Sequence, residues 1–549
     1  MADSLTSFNT RNPATSQREK AKKGQKKNNA GGFSFKVNDL DRVKRFLVLG
    51  SEDSFYQSGA ELTKENAKTI LKVAKTQHKE LVDLVTQYSV EGRTPKQNNT
   101  LFALALLSST GSAEEKTYAL SKLNEVARTG TALFTFVKYV GQFRGWGRGL
   151  RRAVSAWYTE KNPDQLGYQV AKFQGREGWT HRDLLRKAHA KTEDAGVQSV
   201  LKWAVSGDVT VGKEFPVVLS QSIAVKGKTN AEVVRFLKNL GGDLAISWEM
   251  LPTEALAEPE VWQILLDENR VPLGALLRNL SRLSRLGVLK PLGKYEKLVT
   301  GLFTNQEKIH KSRLHPLTIL NGKLAYEKGY NDRGVRWDVN QKVVAALDKA
   351  FRLAFKNVEP TGQRYLQALD VSGSMGVNIQ NSDLTARDAS AALALVTAGT
   401  EENTHTIAFT TGGGGTPFTG GVKQGYYSTA VTTLPITGSE TLKETVRKVS
   451  GLPFGGTDCA LPMLYAIEKN LEVDTFIVFT DSETWAGDIH PYEALKRYRE
   501  HSGIAAKLIV VAMVSNKFTL ADPSDKFMLD LIGFDTATPQ IISEFSKGF

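Results

Sequence analysis

The sequence predicts two domains of different fold class, an all-α helical-repeat domain followed by a doubly wound α/β domain. The length of 549 residues exceeds what a single hydrophobic core usually supports. Apolar residues recur at helical spacing up to about Val358, whereas beyond Pro360 short apolar strands alternate with helices. Charge divides at the same place, because residues 1–358 carry a net charge of +21 and residues 359–549 one of −8.

The predicted helical domain covers residues 33–358. Thr63 is placed to cap a helix over residues 65–75, and residues 101–107 are apolar on nearly every side, which predicts a buried helix. Short helices with brief loops predict stacked antiparallel pairs of degenerate HEAT-like type, since no crisp repeat signature is present. The other amphipathic segments are residues 116–127, 132–140, 150–158, 181–189, 231–240, 261–268, 273–286 and 341–354.

The predicted α/β domain covers residues 359–549. Its alternation of strands and helices predicts a doubly wound, mostly parallel sheet. Ligands of such sheets bind beyond the carboxyl ends of the strands, and Asp370 and Asp481 each follow a strand. The expected strands are residues 364–371, 404–410, 475–480 and 506–514, and the expected helices are residues 388–397, 458–469 and 492–501.

Oxygen ligands for a hard metal ion are expected where these strands end. Asp370, Ser372 and Ser374 occupy alternate positions in one loop. Thr457 follows two glycines before a predicted helix, and Asp481 follows another strand. Such ligands suit octahedral Mg²⁺ or Mn²⁺, with water or a partner's carboxylate completing the shell. In order and spacing these residues resemble the metal-ion-dependent adhesion site of von Willebrand A domains; the alternative is an intact fold with an empty or vestigial site.

Composition and motifs exclude several other classes of protein. No apolar run reaches the roughly 18 residues of a membrane span, and the polar, lysine-rich N-terminus lacks a secretory signal. The single cysteine, Cys459, excludes an internal disulfide and a cysteine-rich zinc site. Ser482 and His490 lack the Gly-x-Ser-x-Gly elbow of a hydrolase. We therefore expect a cytoplasmic protein without membrane association or catalytic residues.

The charge of +21 on residues 1–358 predicts a polyanionic partner, nucleic acid rather than membrane. Positive charge is densest in residues 144–191, which contain 11 Lys and Arg against four Asp and Glu. Aromatic and His rings are interleaved with these cations. Cations contact phosphates, and rings can stack on unpaired bases. The alternatives are a solvated basic face and, for Trp157, packing in the core, which we favour for that residue. Arg278, Arg282 and Arg285 form a second cluster at helical spacing.

Residues 1–32 are polar and nearly free of large apolar side chains, which predicts a disordered basic tail. The tail is expected either to contact nucleic acid or only to improve solubility. Its cluster of lysines comprises Lys20, Lys22, Lys23, Lys26 and Lys27.

Seven segments resemble the Ro autoantigen family, which is built on the TROVE module. They lie in order along the chain, from about Phe33 to the C-terminal domain. The basic leader and the glycine-rich loop at residues 412–421 depart from the family pattern, and the resemblance is to a bacterial-type member. The segments are Arg45-Phe46-Leu47 with Gly50-Ser51-Glu52, Phe134-Thr135-Phe136, Trp146 to Arg151, Gly178 to Leu185, Leu276 to Leu280, Arg313 to Pro316 and Val358 to Gly362.

The resemblance implies a monomeric ring of HEAT-like pairs closed by a von Willebrand A domain. It implies a Y RNA on the outer basic surface, single-stranded ends of misfolded noncoding RNA in the ring hole, cooperation with an exoribonuclease, and no catalysis. By motif position His181 matches the family's outer-surface histidine, with Lys172 and Arg176 just upstream. The candidate RNA-binding residues are His181, Lys172, Arg176, Arg148, Arg151, Arg152, Arg182, Arg186, Arg144 and Arg278.

These observations favour an RNA-binding scaffold that serves RNA quality control or decay. The competing hypothesis is a metal-dependent protein-adhesion module on a helical scaffold, for which the positive charge is incidental. A third hypothesis is hydrolysis at the metal site.

Overall fold

A computed structural model describes residues 14–50, 59–94, 96–208, 214–355, 360–379, 384–410, 430–452 and 455–548. The chain divides into two compact units. Residues 70–354 form one, here called the helical unit, and residues 1–69 with 355–549 form the other, here called the α/β unit. The predicted fold class is confirmed. The glycine-rich loop at residues 412–421 lies outside the described residues.

Helices α2 to α18 follow one another along residues 59–353, as the amphipathic pattern predicts. Helix α2 belongs in part to each unit. Helix α2 begins at Gly59, four residues before Thr63, so the predicted cap at Thr63 is wrong. The helix begins earlier than predicted because its first turn already packs in the core through the buried Leu62. The helices are α1 (Asp39–Leu49), α2 (Gly59–Val90), α3 (Gln97–Leu107), α4 (Ala113–Ser121), α5 (Leu123–Val126), α6 (Gly130–Phe143), α7 (Arg148–Thr159), α8 (Pro163–Lys172), α9 (His181–Ala188), α10 (Ala195–Ser206), α11 (Val217–Ala224), α12 (Asn230–Leu240), α13 (Pro259–Asp267), α14 (Leu273–Arg285), α15 (Lys294–Phe303), α16 (Gln306–Ser312), α17 (Pro316–Glu327) and α18 (Gln341–Leu353).

Helices of the helical unit pack on near neighbours in the chain. Helix α3 packs on α6, α4 on α7, α8 on α11, and α15 on α18. Such recurrent local packing is typical of a helical-repeat protein, in which each pair buries its apolar face against the next. No helix among the described residues is both long and apolar enough to cross a membrane.

The α/β unit is built on a six-stranded sheet in the order β11-β9-β8-β5-β6-β7. All neighbours are parallel except β7, which pairs antiparallel with β6. Every residue of β5 and of β8 is buried. The strands of the chain are β1 (Lys26–Lys27), β2 (Phe33–Lys36), β3 (Gly175–Arg176), β4 (Trp179–Thr180), β5 (Tyr365–Asp370), β6 (Thr404–Phe409), β7 (Val431–Thr433), β8 (Thr475–Thr480), β9 (Lys507–Ala512), β10 (Phe518–Thr519) and β11 (Met528–Ile532).

The chain runs outward from β5 to β6 and then returns to the other side of β5 to form β8. The gap between the ends of β5 and β8 is therefore the switch point of the sheet, where such folds bind ligands. The helices of this unit are α19 (Ala386–Ala398), α20 (Leu442–Ser450), α21 (Leu461–Glu468), α22 (Pro491–Ser502) and α23 (Thr538–Lys547).

The prediction of a disordered tail is wrong for residues 14–32. Residues 14–36, which include β2, form a segment here called the N-terminal strap. The strap packs on the rest of the α/β unit. Strand β2 pairs with both β1 and β10, and Phe35 is buried. Composition fails here because the segment is ordered by polar contacts with residues more than 400 positions away. The structure accordingly groups residues up to Thr69 with the α/β unit, although the helical domain was expected to begin at residue 33.

Candidate metal centre and nucleic-acid interface

The two aspartates predicted as metal ligands lie at the switch point of the sheet. Asp370 ends β5, and Asp481 follows β8 directly. Because β5 and β8 are parallel neighbours, their carboxyl ends meet at the same edge. Both side chains are almost fully buried.

Hydroxyl groups surround these carboxylates. The backbone N–H of Ser372 donates to Asp370 Oδ1 at 2.9 Å, and the Oγ atoms of Ser372 and Ser374 lie 3.2 Å apart. Thr480 Oγ1 donates to Asp370 Oδ2 at 2.6 Å. Thr457, brought in by the loop before α21, is also buried. All five predicted ligands therefore lie at one edge of the sheet, each with little access to solvent: Asp370, Ser372, Ser374, Thr457 and Asp481.

The electrostatics of this cluster suit a cation. Burial raises the pKa of Asp370 above its ordinary value. Burial and the nearby Asp370 carboxylate raise the pKa of Asp481 well above its own. A divalent ion would stabilise both carboxylates, and hydroxyl and carboxylate oxygens are ligands that Mg²⁺ accepts. In the described part of the chain no three His, Cys, Asp or Glu side chains are grouped to hold a metal, and a metal at this edge of the sheet would need the hydroxyl oxygens beside the two carboxylates as further ligands.

The candidate RNA-binding residues centre on α7, α9 and the β3–β4 hairpin of the helical unit. Helices α7 and α9 pack together, and the hairpin joins α8 to α9. Trp157 is fully buried, as predicted, and its indole N–H donates to the Ala127 carbonyl at 2.6 Å.

His181 is not on the surface, which contradicts its expected role as an outer-surface contact. Its side chain is almost fully buried, with its ring 4.8 Å from that of Phe134. Its Nδ1 shares a hydrogen bond of 2.8 Å with the Tyr158 hydroxyl. His181 opens α9, as predicted, but Thr180 caps this helix and turns the imidazole towards the core. Burial lowers the pKa of His181 to about 4, so the ring is neutral at pH 7.

Lys172 is also turned away from solvent, contrary to its expected role as a surface cation. Its Nζ donates to the Tyr168 hydroxyl at 2.9 Å and pairs with Glu249 at 3.3 Å. Its side chain is only 12% exposed. Lys172 therefore ties α8 to the segment around Glu249, and its charge is largely neutralised.

Most of the predicted arginines do reach solvent. Arg144 is only half-buried, and desolvation lowers its pKa. Arg278 is exposed on α14, whereas Arg282 of the same cluster lies over the Trp262 ring. The exposed arginines near α7 and α9 are Arg148, Arg151, Arg152, Arg176, Arg182 and Arg186.

Trp146 and Trp179, two of the rings interleaved with the cations of residues 144–191, form a pair that the list of candidate RNA-binding residues did not include. The rings of Trp146 and Trp179 lie 5.9 Å apart, and both are half-buried. Lys187 Nζ lies 5.7 Å from the Trp146 ring and 6.0 Å from the Trp179 ring. Trp146 and Trp179 are 33 positions apart in the chain, so only the fold brings them together. The one signal in the sequence is the glycines beside each tryptophan, which indicate turns. We call Trp146, Trp179, Lys187, Arg148, Arg182 and Arg186 the cationic face.

We expect replacement of His181 by alanine to lower the free energy of unfolding by about 2–4 kcal/mol at pH 7.5, because it leaves a cavity and a buried Tyr158 hydroxyl without its partner. The unfolded chain binds the His181 proton near pH 6.5 and the folded chain only near pH 4. The contribution of the neutral His181 ring to the free energy of unfolding is therefore fully present above pH 6.5. As the pH falls towards 4 the wild-type protein loses up to about 3 kcal/mol of that free energy.

Urea unfolding followed by tryptophan fluorescence between pH 4 and 7.5 measures both effects. The difference between wild type and variant should shrink towards pH 4. Lys191→Ala, at an exposed position, is the control and should change stability by less than about 0.5 kcal/mol. A difference that does not vary with pH would show that His181 titrates normally in the folded protein.

Comparison with known proteins identifies matches along nearly the whole chain. The TROVE domain model matches residues 26–222 and 243–326, and the Ro60 vWA domain model matches residues 364–546. The RNA-binding protein RO60 of Caenorhabditis elegans is 36% identical, over 97% of this chain and 91% of that protein. The RNA-binding protein RO60 of Deinococcus radiodurans is 37% identical, over 97% of each. The crystal structure of the Deinococcus radiodurans Ro (Rsr) protein superimposes with a TM-score of 0.67 at 34% identity, over 93% of this chain and all of that one.

Proposed function

Because the chain belongs to the Ro60 family of TROVE and von Willebrand A domain proteins, we propose that it binds RNA through the cationic face of its helical unit. The observation that carries this proposal is the cationic face itself. Arg148, Arg182 and Arg186 are exposed there and form no ion pair within the described part of the chain. Exposed cations supply phosphate contacts, and the rings of Trp146 and Trp179, against which Lys187 lies, supply stacking surfaces.

The geometry assigns different tasks to different side chains. Arg182 and Arg186 lie one helical turn apart on α9, on the same side of the helix. Their guanidinium groups would contact neighbouring phosphates of one RNA strand. Trp146 and Trp179 offer ring faces on which unpaired bases can stack. His181 and Lys172 act indirectly, because they hold α9 and α8 against the core.

We further propose that the RNA ligands are those that the family resemblance implies: a Y RNA on the basic surface and single-stranded ends of misfolded noncoding RNA. The chain would act as a monomeric scaffold for RNA quality control in the cytoplasm. Degradation would then be the task of a separate exoribonuclease.

At the α/β unit we propose a Mg²⁺ or Mn²⁺ ion held by Asp370, Ser372, Ser374, Thr457 and Asp481. The ion would neutralise the two buried carboxylates. It would also offer a free coordination position to a carboxylate of a partner protein. The burial of both aspartates supports this assignment, because a bound cation stabilises two neighbouring carboxylates that are removed from water.

A metal-dependent protein-adhesion module is the second candidate, favoured by the same metal centre. The two functions differ in what the purified protein retains. We expect the full chain, purified at low salt, to carry RNA and to show a ratio of absorbance at 260 to 280 nm above that of pure protein. RNase treatment should restore the protein ratio. A protein-like ratio before treatment, with a protein ligand that EDTA releases, would instead favour adhesion.

A further inference from the structure

Gln17 of the N-terminal strap is fully buried in the α/β unit. Its Nε2 donates to Asp458 Oδ1 at 2.7 Å and to the Ile489 carbonyl at 2.8 Å. Its Oε1 accepts a hydrogen bond from the Thr484 hydroxyl. Its backbone N–H donates to the Gly487 carbonyl at 2.9 Å. One side chain thus donates two hydrogen bonds and accepts a third, all with the loop after Thr457 and the loop after Asp481.

These two loops supply ligands of the candidate metal centre. Asp458 follows Thr457 directly, and Thr484 lies three residues after Asp481. The loops also contact each other, because the N–H groups of Trp485 and Ala486 both donate to the Thr457 carbonyl at 3.0 Å. Packing leaves no free space beside Gln17, since a Cβ on Gly487 would lie only 2.5 Å from its Nε2.

Other residues of the strap form hydrogen bonds with the loop after β8. Ser34 Oγ donates to the Ser482 carbonyl at 3.0 Å. The Asn29 backbone N–H donates to Glu483 Oε2 at 2.7 Å, and its side chain donates to Oε1 at 2.8 Å. The loop that carries Asp481 is therefore held by the strap together with Asn516, whose side-chain amide donates to the Asp481 carbonyl at 2.6 Å.

We propose that Gln17 is a positioning residue of the metal centre, which sets the distance between Thr457 and Asp481. The proposal rests on the metal site proposed above. A metal ion requires its ligands in fixed geometry, and loss of a residue that orients ligands typically weakens metal affinity by about 10- to 100-fold. Glutamine is specifically suited, because it donates to Asp458 and accepts from Thr484 at once. A glutamate of equal size would place a second carboxylate against Asp458.

Isothermal titration of the metal-free full chain with MgCl₂ and MnCl₂ tests this proposal. We expect Gln17→Ala and Gln17→Glu each to raise the dissociation constant by about 10-fold or more. The matched control is Lys22→Ala. It removes another anchor of the same strap, to Asp522 and Ser524 on the loop after β10, and should leave the dissociation constant within about 2-fold of the wild-type value. Thermal unfolding of each metal-free variant identifies any that is not folded.

The outcomes separate this proposal from the metal site itself. Absence of binding by the wild-type protein overturns both. Binding by the wild type with unchanged affinity in both Gln17 variants overturns only the role of Gln17. Equal weakening by Lys22→Ala would show that the strap acts as a whole and also overturns the assignment to Gln17.

Discussion

Replacement of Arg148, Arg182 and Arg186 together by alanine is expected to weaken binding of a hairpin RNA with a single-stranded 3′ end by about 10- to 100-fold at moderate salt. The three guanidinium groups are exposed on the cationic face, so the variant loses phosphate contacts without leaving cavities. Fluorescence anisotropy with labelled RNA measures the affinity, and circular dichroism checks the fold.

A matched control removes the same charge elsewhere on the helical unit. Arg235, Arg333 and Arg336 are also exposed, and their triple replacement should weaken binding by less than about 3-fold. Replacement of the first three arginines by lysine should restore much of the affinity, because a phosphate contact needs mainly the charge. Equal losses in the two alanine variants would mean that net charge, rather than the cationic face, determines affinity.

The second large effect concerns the metal centre. Asp370→Ala is expected to abolish the rise in melting temperature that Mg²⁺ gives the wild-type protein. A ligand at 100 times its dissociation constant stabilises a folded protein by about 2.7 kcal/mol, and the variant loses that contribution. In EDTA the variant should differ less from the wild type, because the Asp370 carboxylate then raises the pKa of the buried Asp481 carboxyl, and alanine removes this repulsion. Differential scanning fluorimetry with MgCl₂ or EDTA measures these differences.

Glu402→Ala is the control for this experiment. Glu402 is exposed and lies before β6, at the end of the sheet opposite to the metal centre. It should leave the Mg²⁺-dependent shift unchanged. Persistence of the full shift in Asp370→Ala would show that Mg²⁺ binds elsewhere in the chain. RNA affinity measured in EDTA should be similar for wild type and Asp370→Ala, since the cationic face lies in the other unit.

The location of the candidate metal ligands at one edge of the sheet was largely predictable, because each follows a recognisable strand or loop in the sequence. The strand before Asp370 and the strand before Asp481 are continuous apolar runs, and parallel strands bring their carboxyl ends to one edge. The candidate hydroxyl ligands Ser372 and Ser374 follow Asp370 at alternate positions. Sequence patterns predicted less of the sheet edges, because β7 and β11 are short and only partly buried.

Contacts between distant segments were not predictable in the same way. The strap has the composition of a disordered tail, and contacts with distant residues, among them the loop after β8 and strand β10, order it. His181 and Lys172 have the residue types of RNA contacts. Tyr158 and Glu249, their partners in the fold, lie 23 and 77 positions away in the chain and turn them inward.

The dependence of RNA affinity on salt tests the central claim most directly, which is that the cationic face contacts RNA phosphates. Binding of the hairpin RNA should weaken steeply between 50 and 200 mM salt, because each phosphate contact releases counterions. The slope of log affinity against log salt should become shallower by about 2 to 3 in the variant that lacks Arg148, Arg182 and Arg186. A wild-type slope near zero, or the same slope in both proteins, would contradict the claim.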